Sequence, residues 1–240
     1  MSESFRLAIH GGGRMGRATW DAARDDARVR EAVLVARGGA DWAPVDALLG
    51  SLAEVSDPPE LLIDFTLPDG AAEAARWCAD HGVALVSGTT GLKERHFAAL
   101  DAAAGQVPVL WAPNMSRGVN AMLLLAAKAA TMLPADAPVA LLDVHHAGKK
   151  DAPSGTAKAL AEAVAGARGA GGPIEVHSVR EGEVIGDHEL RFALAGEELA
   201  LRHHAVDRGI WARGALDAGA WLIGQPPGRY GAADWLGAGG

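Results

Sequence analysis

Short, almost unbroken apolar runs alternate with alanine-rich stretches of helical spacing through the first half of the chain. No other feature restricts the fold as much. Leu7-Ala8-Ile9 stops at a glycine cluster, after which Met15–Ala23 has helical character. Ala32-Val33-Leu34-Val35-Ala36 stops at Arg37-Gly38-Gly39, and Leu61–Phe65 is followed by Pro68, well placed to start a helix running to about His81. Val83–Val86, a helix near Lys93–Ala104 and Val107–Trp111 complete the series. Strands that are apolar on both faces and separated by helices belong to a parallel sheet covered on both sides.

Beyond Asn114 the pattern changes. Val119–Leu133 reads as a long apolar helix, Val139–Val144 as a strand and Thr156–Ala167 as a helix. Ile174–Val179, Leu190–Leu194 and Leu199–His203 then follow as strand-like pieces separated by Gly182, Gly186 and Gly196. Strands in succession predict an antiparallel or mixed sheet, hence a second α+β unit. Ile210–Ile223 returns to helical spacing, with Trp211, Ala215, Ala218 and Leu222 on one stripe.

Composition narrows the class of protein. A net charge of −8 and a pI near 5.6 argue against general binding to nucleic acid or anionic membrane. The longest apolar runs, such as Ala121–Ala127, are cut by a lysine well short of the ~20 residues a bilayer span needs. The opening Met1-Ser2-Glu3-Ser4 has no basic patch before an apolar stretch and does not read as a signal peptide. One cysteine, Cys78, forms no internal disulfide and suits a reducing compartment, so a cytoplasmic protein is expected.

Gly11-Gly12-Gly13-Arg14-Met15-Gly16 lies directly after the first strand and has the Gly-x-Gly-x-x-Gly spacing of a dinucleotide fingerprint. One glycine serves the tight turn, one the approach of a diphosphate to backbone N–H groups and one helix packing, while the helix dipole favours the phosphate. The second strand ends in Arg37 with no acid before Asp41, so Arg37 reads as a contact to the 2′-phosphate of NADPH, against a solvated loop arginine. Gly88-Thr89-Thr90-Gly91 and Ala112-Pro113-Asn114-Met115 each follow a predicted strand, where ligands bind in such sheets, and are binding loops or ordinary turns. The expected fold class is α/β, a Rossmann-like nucleotide domain over 1–114 and 208–240 with a second α+β domain over 115–207.

Three of the five lysines, Lys149, Lys150 and Lys158, fall within ten residues, next to His145-His146. Ser154-Gly155-Thr156 opens a helix whose first N–H groups can receive an anion. Imidazoles, an ammonium and a helix N-terminus suit a small substrate bearing carboxylates; the competing reading is a solvated loop. Adjacent histidines with one distant cysteine have no zinc-ligand spacing, so no metal is expected. Trp42, Trp77, Trp111, Trp211 and Trp221 read as core or interface, and His203-His204 as structural.

These residues identify a resemblance. Gly13-Arg14-Met15-Gly16-Arg17, Ile63-Asp64-Phe65-Thr66, Gly88-Thr89-Thr90-Gly91, Asn114–Asn120 and the run from His145-His146 through Lys149 to Asp151-Ala152-Pro153-Ser154-Gly155-Thr156-Ala157 resemble the 4-hydroxy-tetrahydrodipicolinate reductase (dihydrodipicolinate reductase) family of bacterial lysine and diaminopimelate synthesis. The resemblance implies a two-domain enzyme using NADPH or NADH, with NADPH favoured here and NADH possible, and a homotetramer built through the second domain's sheet. It implies His145 as acid/base and Lys149 as catalytic lysine, with His146, Gly155 and Thr156 binding a cyclic dicarboxylate. It also implies cofactor contacts at Gly11, Gly12, Gly13, Arg14, Met15, Gly88, Thr89, Thr90, Ala112, Pro113, Asn114 and Met115. Either His145 or Lys149 can deliver the proton.

Three departures stand out. His10 occupies the place of the family's first glycine, so either the loop is one residue shorter, with Gly11 in that role, or the phosphate contact is altered. Ala36 replaces the acid many members carry before the arginine, and the stretch from Val179 to Gly186 is shorter than usual. The other readings are a related amino-dicarboxylate dehydrogenase, such as aspartate dehydrogenase, and a catalytically silent nucleotide-binding sensor. Cofactor binding without its oxidation would mark the sensor.

Overall fold

The computed structural model describes residues 4–169 and 172–237. Residues 1–3, on which the reading of the chain's start rests, lie outside it, as do 170–171 and 238–240. The chain forms two compact units, one holding residues up to Ser116 and those from Gly209 onward, the other Arg117–Arg208.

The first unit begins with β1 (Phe5–His10), α1 (Arg14–Arg24), β2 (Val29–Val35), β3 (Leu48–Leu49) and β4 (Leu61–Asp64). It continues through α2 (Pro68–His81), β5 (Ala84–Ser87), α3 (Glu94–Ala104) and β6 (Pro108–Trp111). The second unit comprises α4 (Arg117–Met132), β7 (Val139–His145), α5 (Gly155–Arg168), β8 (Ile174–Arg180), β9 (Asp187–Leu194) and β10 (Glu197–His204). The chain then returns to the first unit with α6 (Ile210–Leu222), β11 (Gly228–Tyr230) and α7 (Ala232–Trp235).

The first sheet has the order β11-β6-β5-β4-β1-β2-β3, and each neighbouring pair is parallel. Its central strands read as unbroken apolar runs because both faces are covered. Leu7, Ile9, Leu61 and Ile63 pack against Trp20 of α1 and Leu216 and Leu222 of α6. Ala8, Leu62 and Leu85 pack against Ala74, Ala75 and Cys78 of α2 and Leu100 of α3. Register sets His10 beside Val35 and Asp64, Asp64 beside Ser87, and Ser87 beside Trp111. The carboxyl ends of five strands therefore form one row.

The second sheet is mixed, in the order β10-β9-β7-β8, with β7 parallel to β8 and the other pairs antiparallel. Met122 and Ala126 of α4 and Leu160 and Val164 of α5 cover one face, against Leu141, Leu190 and Phe192. The opposite face carries Leu142, Val144 and Val179. Only six residues, 181–186, join β8 to β9.

Two short strands, β3 and β11, escape sequence reading because two or three residues carry no period. Phe65 lies just past β4 rather than in it, and its ring closes over Gly88, where an added Cβ would fall 2.2 Å from Cε1. Helix α6 sits close on β4: a Cβ at Gly219 would lie 2.2 Å from Leu61 Cδ2. Gly219→Val should therefore destabilise the protein by about 2 kcal/mol through overpacking. Urea unfolding checks this; an unchanged midpoint would mean α6 does not dock on β4 at this distance.

Candidate active site

The glycine loop is built by close approach. Gly11 has φ +121°, donates its N–H to Val35 O at 2.9 Å, and an added Cβ would lie 2.8 Å from Phe65 O. A Cβ on Gly16 would lie 1.7 Å from Gly11 O, so α1 can start only over a glycine. Gly12 meets the Ala36 methyl, its Cβ position being 2.9 Å away, and Trp42 Nε1 donates to Gly12 O at 3.2 Å. Trp42 therefore braces the loop, a role beyond the core or interface packing expected of it. Gly11 makes the turn and His10 remains in β1. Gly13 caps α1 without a side-chain acceptor, and nothing lies within 4 Å of its Cβ position. A diphosphate fits such a cradle, because the side chains that would fill it are missing and N–H groups of α1 face it.

A cavity of about 490 Å³ opens beside the loop. His10, Gly11, Gly12, Ala36, Arg37 and Glu73 line it, among others. Arg37 Nη2 lies 2.8 Å from Glu73 Oε2 of α2. Arg14 is exposed and Met15 half-buried at the start of α1. Gly88, Thr89 and Thr90 follow β5. Thr90 is exposed, whereas the Thr89 hydroxyl is buried and donates to Asp64 Oδ2 at 2.8 Å. Ala112, Pro113, Asn114 and Met115 follow β6; Ala112 and Met115 are buried in the core, while Pro113 is exposed and Asn114 half-buried. Thr89 and Met115 thus have only backbone to present to a ligand. Asp64, fully buried, also accepts from Thr66 Oγ1 at 2.6 Å and Ser87 Oγ at 2.8 Å, with His10 Nδ1 at 3.3 Å.

In the second unit β7 ends at His145, so His146 follows in the loop without a fixed strand face. Asp143 and His145 lie on the helix-covered side of β7, two residues apart as the strand period requires. His145 Nδ1 is 3.0 Å from Asp143 Oδ1. The other carboxylate oxygen accepts from Ser154 N–H at 2.9 Å, Ser178 Oγ at 3.2 Å and Arg180 Nη2 at 3.0 Å. His188 Nε2 stands 3.5 Å from Oδ1, its ring 5.2 Å from that of His145. Burial opposes ionisation of Asp143, but the bonds from His145, His188 and Ser154 outweigh it and hold the carboxyl far below the usual carboxylate range.

Sequence spacing did not reveal Arg180, His188 or Ser178. Register explains why: Ser178 and His188 lie opposite Asp143, and Arg180 opposite His145, on neighbouring strands. His203 completes the row from β10, and burial, followed by neighbouring His188, pushes its pKa down. His204 is exposed and paired with Asp187. Asp143, His145 and His188 are also close enough together to attract a cation. Arg180 already neutralises that carboxylate, which favours a hydrogen-bonded group over a metal centre.

Lys149 Nζ pairs with Asp151 Oδ1 at 2.7 Å, and its hydrogen bond lowers the Asp151 pKa. The cationic knot expected from sequence is thus partly neutralised, Lys149 by Asp151. Lys150 and Lys158 are exposed. Ser154 caps α5 by accepting from Ala157 N–H at 3.1 Å, and nothing lies within 4 Å of a Cβ on Gly155. Gly155 and Thr156 therefore open α5 beside the end of β7.

A parallel sheet with a dinucleotide loop, joined to a second unit carrying a histidine–lysine group, defines a two-domain NAD(P)-dependent oxidoreductase. The model "Dihydrodipicolinate reductase, N-terminus" matches residues 5–115, and "Dihydrodipicolinate reductase, C-terminus" matches 118–236. The 4-hydroxy-tetrahydrodipicolinate reductase of Xanthomonas campestris pv. campestris (strain B100) is 42% identical, covering 94% of both chains. That of Alkalilimnicola ehrlichii is 39% identical, covering 97% of this chain and 98% of the relative. The chain belongs to the dihydrodipicolinate reductase family. A dipicolinate-bound dihydrodipicolinate reductase from Paenisporosarcina sp. TG-14 shares the fold, with TM-score 0.84 at 23% identity over 96% of this chain and 98% of that one. An aspartate dehydrogenase from Thermotoga maritima is less similar, with TM-score 0.51 at 12% identity over 90% and 95%.

Among the described residues no helix is long and apolar enough to cross a membrane.

Because Asp143 is held ionised in the fold, its contribution to stability is complete above the unfolded-state value near pH 4 and is lost as pH falls through the folded one. Asp143→Asn should cost about 3 kcal/mol at pH 7, a deficit that shrinks below about pH 4. Denaturant unfolding across pH 3–7 checks this. A deficit independent of pH would contradict the role of the charge.

Proposed function

We propose that this chain reduces 4-hydroxy-tetrahydrodipicolinate, through its dehydrated form, to tetrahydrodipicolinate with NADPH in preference to NADH. Family membership supports the reaction. The gathering of His145, His146, Lys149 and the start of α5 at the carboxyl end of β7 supports the site and carries this reading. Arg37 at the rim of the cavity, with Ala36 in place of an acid, supports NADPH.

A bound nicotinamide supplies the hydride. The protein's own groups then have three tasks. His146 and the N–H groups of Gly155 and Thr156 bind the substrate carboxylates, because a helix N-terminus concentrates donors and partial positive charge. Lys149 leaves Asp151 for a substrate carboxylate or for the charge that develops as the enamine forms. His145 gives the proton to the enamine carbon, so that hydride and proton together saturate one double bond.

His145 is favoured over Lys149 as the acid because Asp143 engages its Nδ1. That contact orients the ring and leaves Nε2 for the substrate. The glycine loop, the Gly88–Thr90 loop and Ala112–Met115 hold the cofactor, Thr89 and Met115 through backbone. The exposed Leu142 and Val179 on the open sheet face support a homotetramer built there.

Lys149→Ala should lower kcat at least about 100-fold, while the Kd for NADPH stays within about twofold. Consumption of NADPH with freshly generated substrate, paired with calorimetric NADPH binding, checks both. Unimpaired turnover would remove Lys149 from the mechanism. Reduction of NAD by the wild type with aspartate would favour the amino-dicarboxylate dehydrogenase instead.

A further inference from the structure

The cavity beside the glycine loop holds a carboxylate that the assigned cofactor contacts leave without a purpose. In a sheet of this kind an acid at the end of β2 would face the adenosine ribose. Here that place is Ala36, which supplies no charge. The carboxylate comes instead from α2. Glu73 lines the cavity and is paired with Arg37 at 2.8 Å. Asp69, the other α2 acid on the cavity wall, is engaged from α3 by Arg95 at 2.8 Å and His96 at 3.0 Å.

We propose that Glu73 sets this chain's discrimination between NADPH and NADH, by holding Arg37 in an ion pair that a 2′-phosphate must displace and by repelling that phosphate. The inference rests on the reading of Arg37 as the 2′-phosphate contact. NADH carries a neutral hydroxyl at the same position, so Glu73 acts on one cofactor and not the other. With 81% of the Arg37 side chain and 37% of the Glu73 side chain exposed, the pair is weak in water, which lets a phosphate of charge about −1.5 to −2 compete for the arginine. Glu73 thus moderates NADPH binding without abolishing it.

Calorimetric titration of purified protein with NADPH and with NADH tests this directly. Glu73→Gln should lower the Kd for NADPH about fivefold and leave that for NADH within about twofold, and the gain should shrink in high salt. Asp80→Asn removes the same charge from α2 seven residues further on, about 10 Å along the helix and so about one Debye length away at 0.1 M salt. It should change neither Kd. Arg37→Ala should weaken NADPH about tenfold and spare NADH.

Should Glu73→Gln leave NADPH unchanged, or tighten both cofactors equally, Glu73 is not the discriminating group. If Arg37→Ala itself spares NADPH, the arginine reading fails and the inference falls with it. If Arg37→Ala weakens NADPH while Glu73→Gln does nothing, only the inference falls.

Discussion

A carboxylate taken out of water must receive its hydrogen bonds from the protein, and each unit of this chain is organised around one such group. Asp64 and Asp143 are both fully buried at or near the carboxyl end of a strand. Asp64 collects the hydroxyls of Thr66, Ser87 and Thr89, tying the loops after β4 and β5 together. Asp143 collects Ser154, Ser178 and Arg180 and faces His145 and His188, tying three strands to the start of α5. Desolvation alone opposes ionisation of Asp143, so the surrounding donors are a condition of that site's charge and geometry.

The same donors give Asp143 its functional direction. Arg180, Ser154 and Ser178 use one oxygen and leave the other to the histidines. His145 therefore projects from the end of β7 with its orientation set by a carboxylate that is itself held on the far side. The cations expected to grip a diacid are not bare. Asp151 holds Lys149 and Asp143 holds Arg180. That arrangement fits an acidic protein that binds an acidic ligand: the counter-ions within the site avoid repulsion among cations while it is empty of substrate.

Much of this was legible before any coordinates. The alternation of apolar runs and helical stretches set the parallel sheet, because strands covered on both faces have no polar alternation to disguise them. In the His145–Thr156 run strand end, loop and helix start are legible because they are contiguous in the chain. Arg180, His188 and Ser178 were invisible for the opposite reason, since they reach Asp143 through cross-strand register, which spacing along one chain does not carry. Thr89 shows a subtler limit. Its position after β5 suited a ligand contact, but the nearby buried acid takes its hydroxyl.

The glycine loop shows how close packing at one turn propagates. With Gly11 in the turn, His10 stays in β1 and its ring stands beside Asp64. Gly12 then comes against Ala36, and Trp42 fastens the loop from outside by bonding the Gly12 carbonyl. The group that meets Gly12 at the end of β2 is a methyl, which carries no charge. The ion pair on the cavity wall comes from other elements, Arg37 beyond the strand and Glu73 on α2.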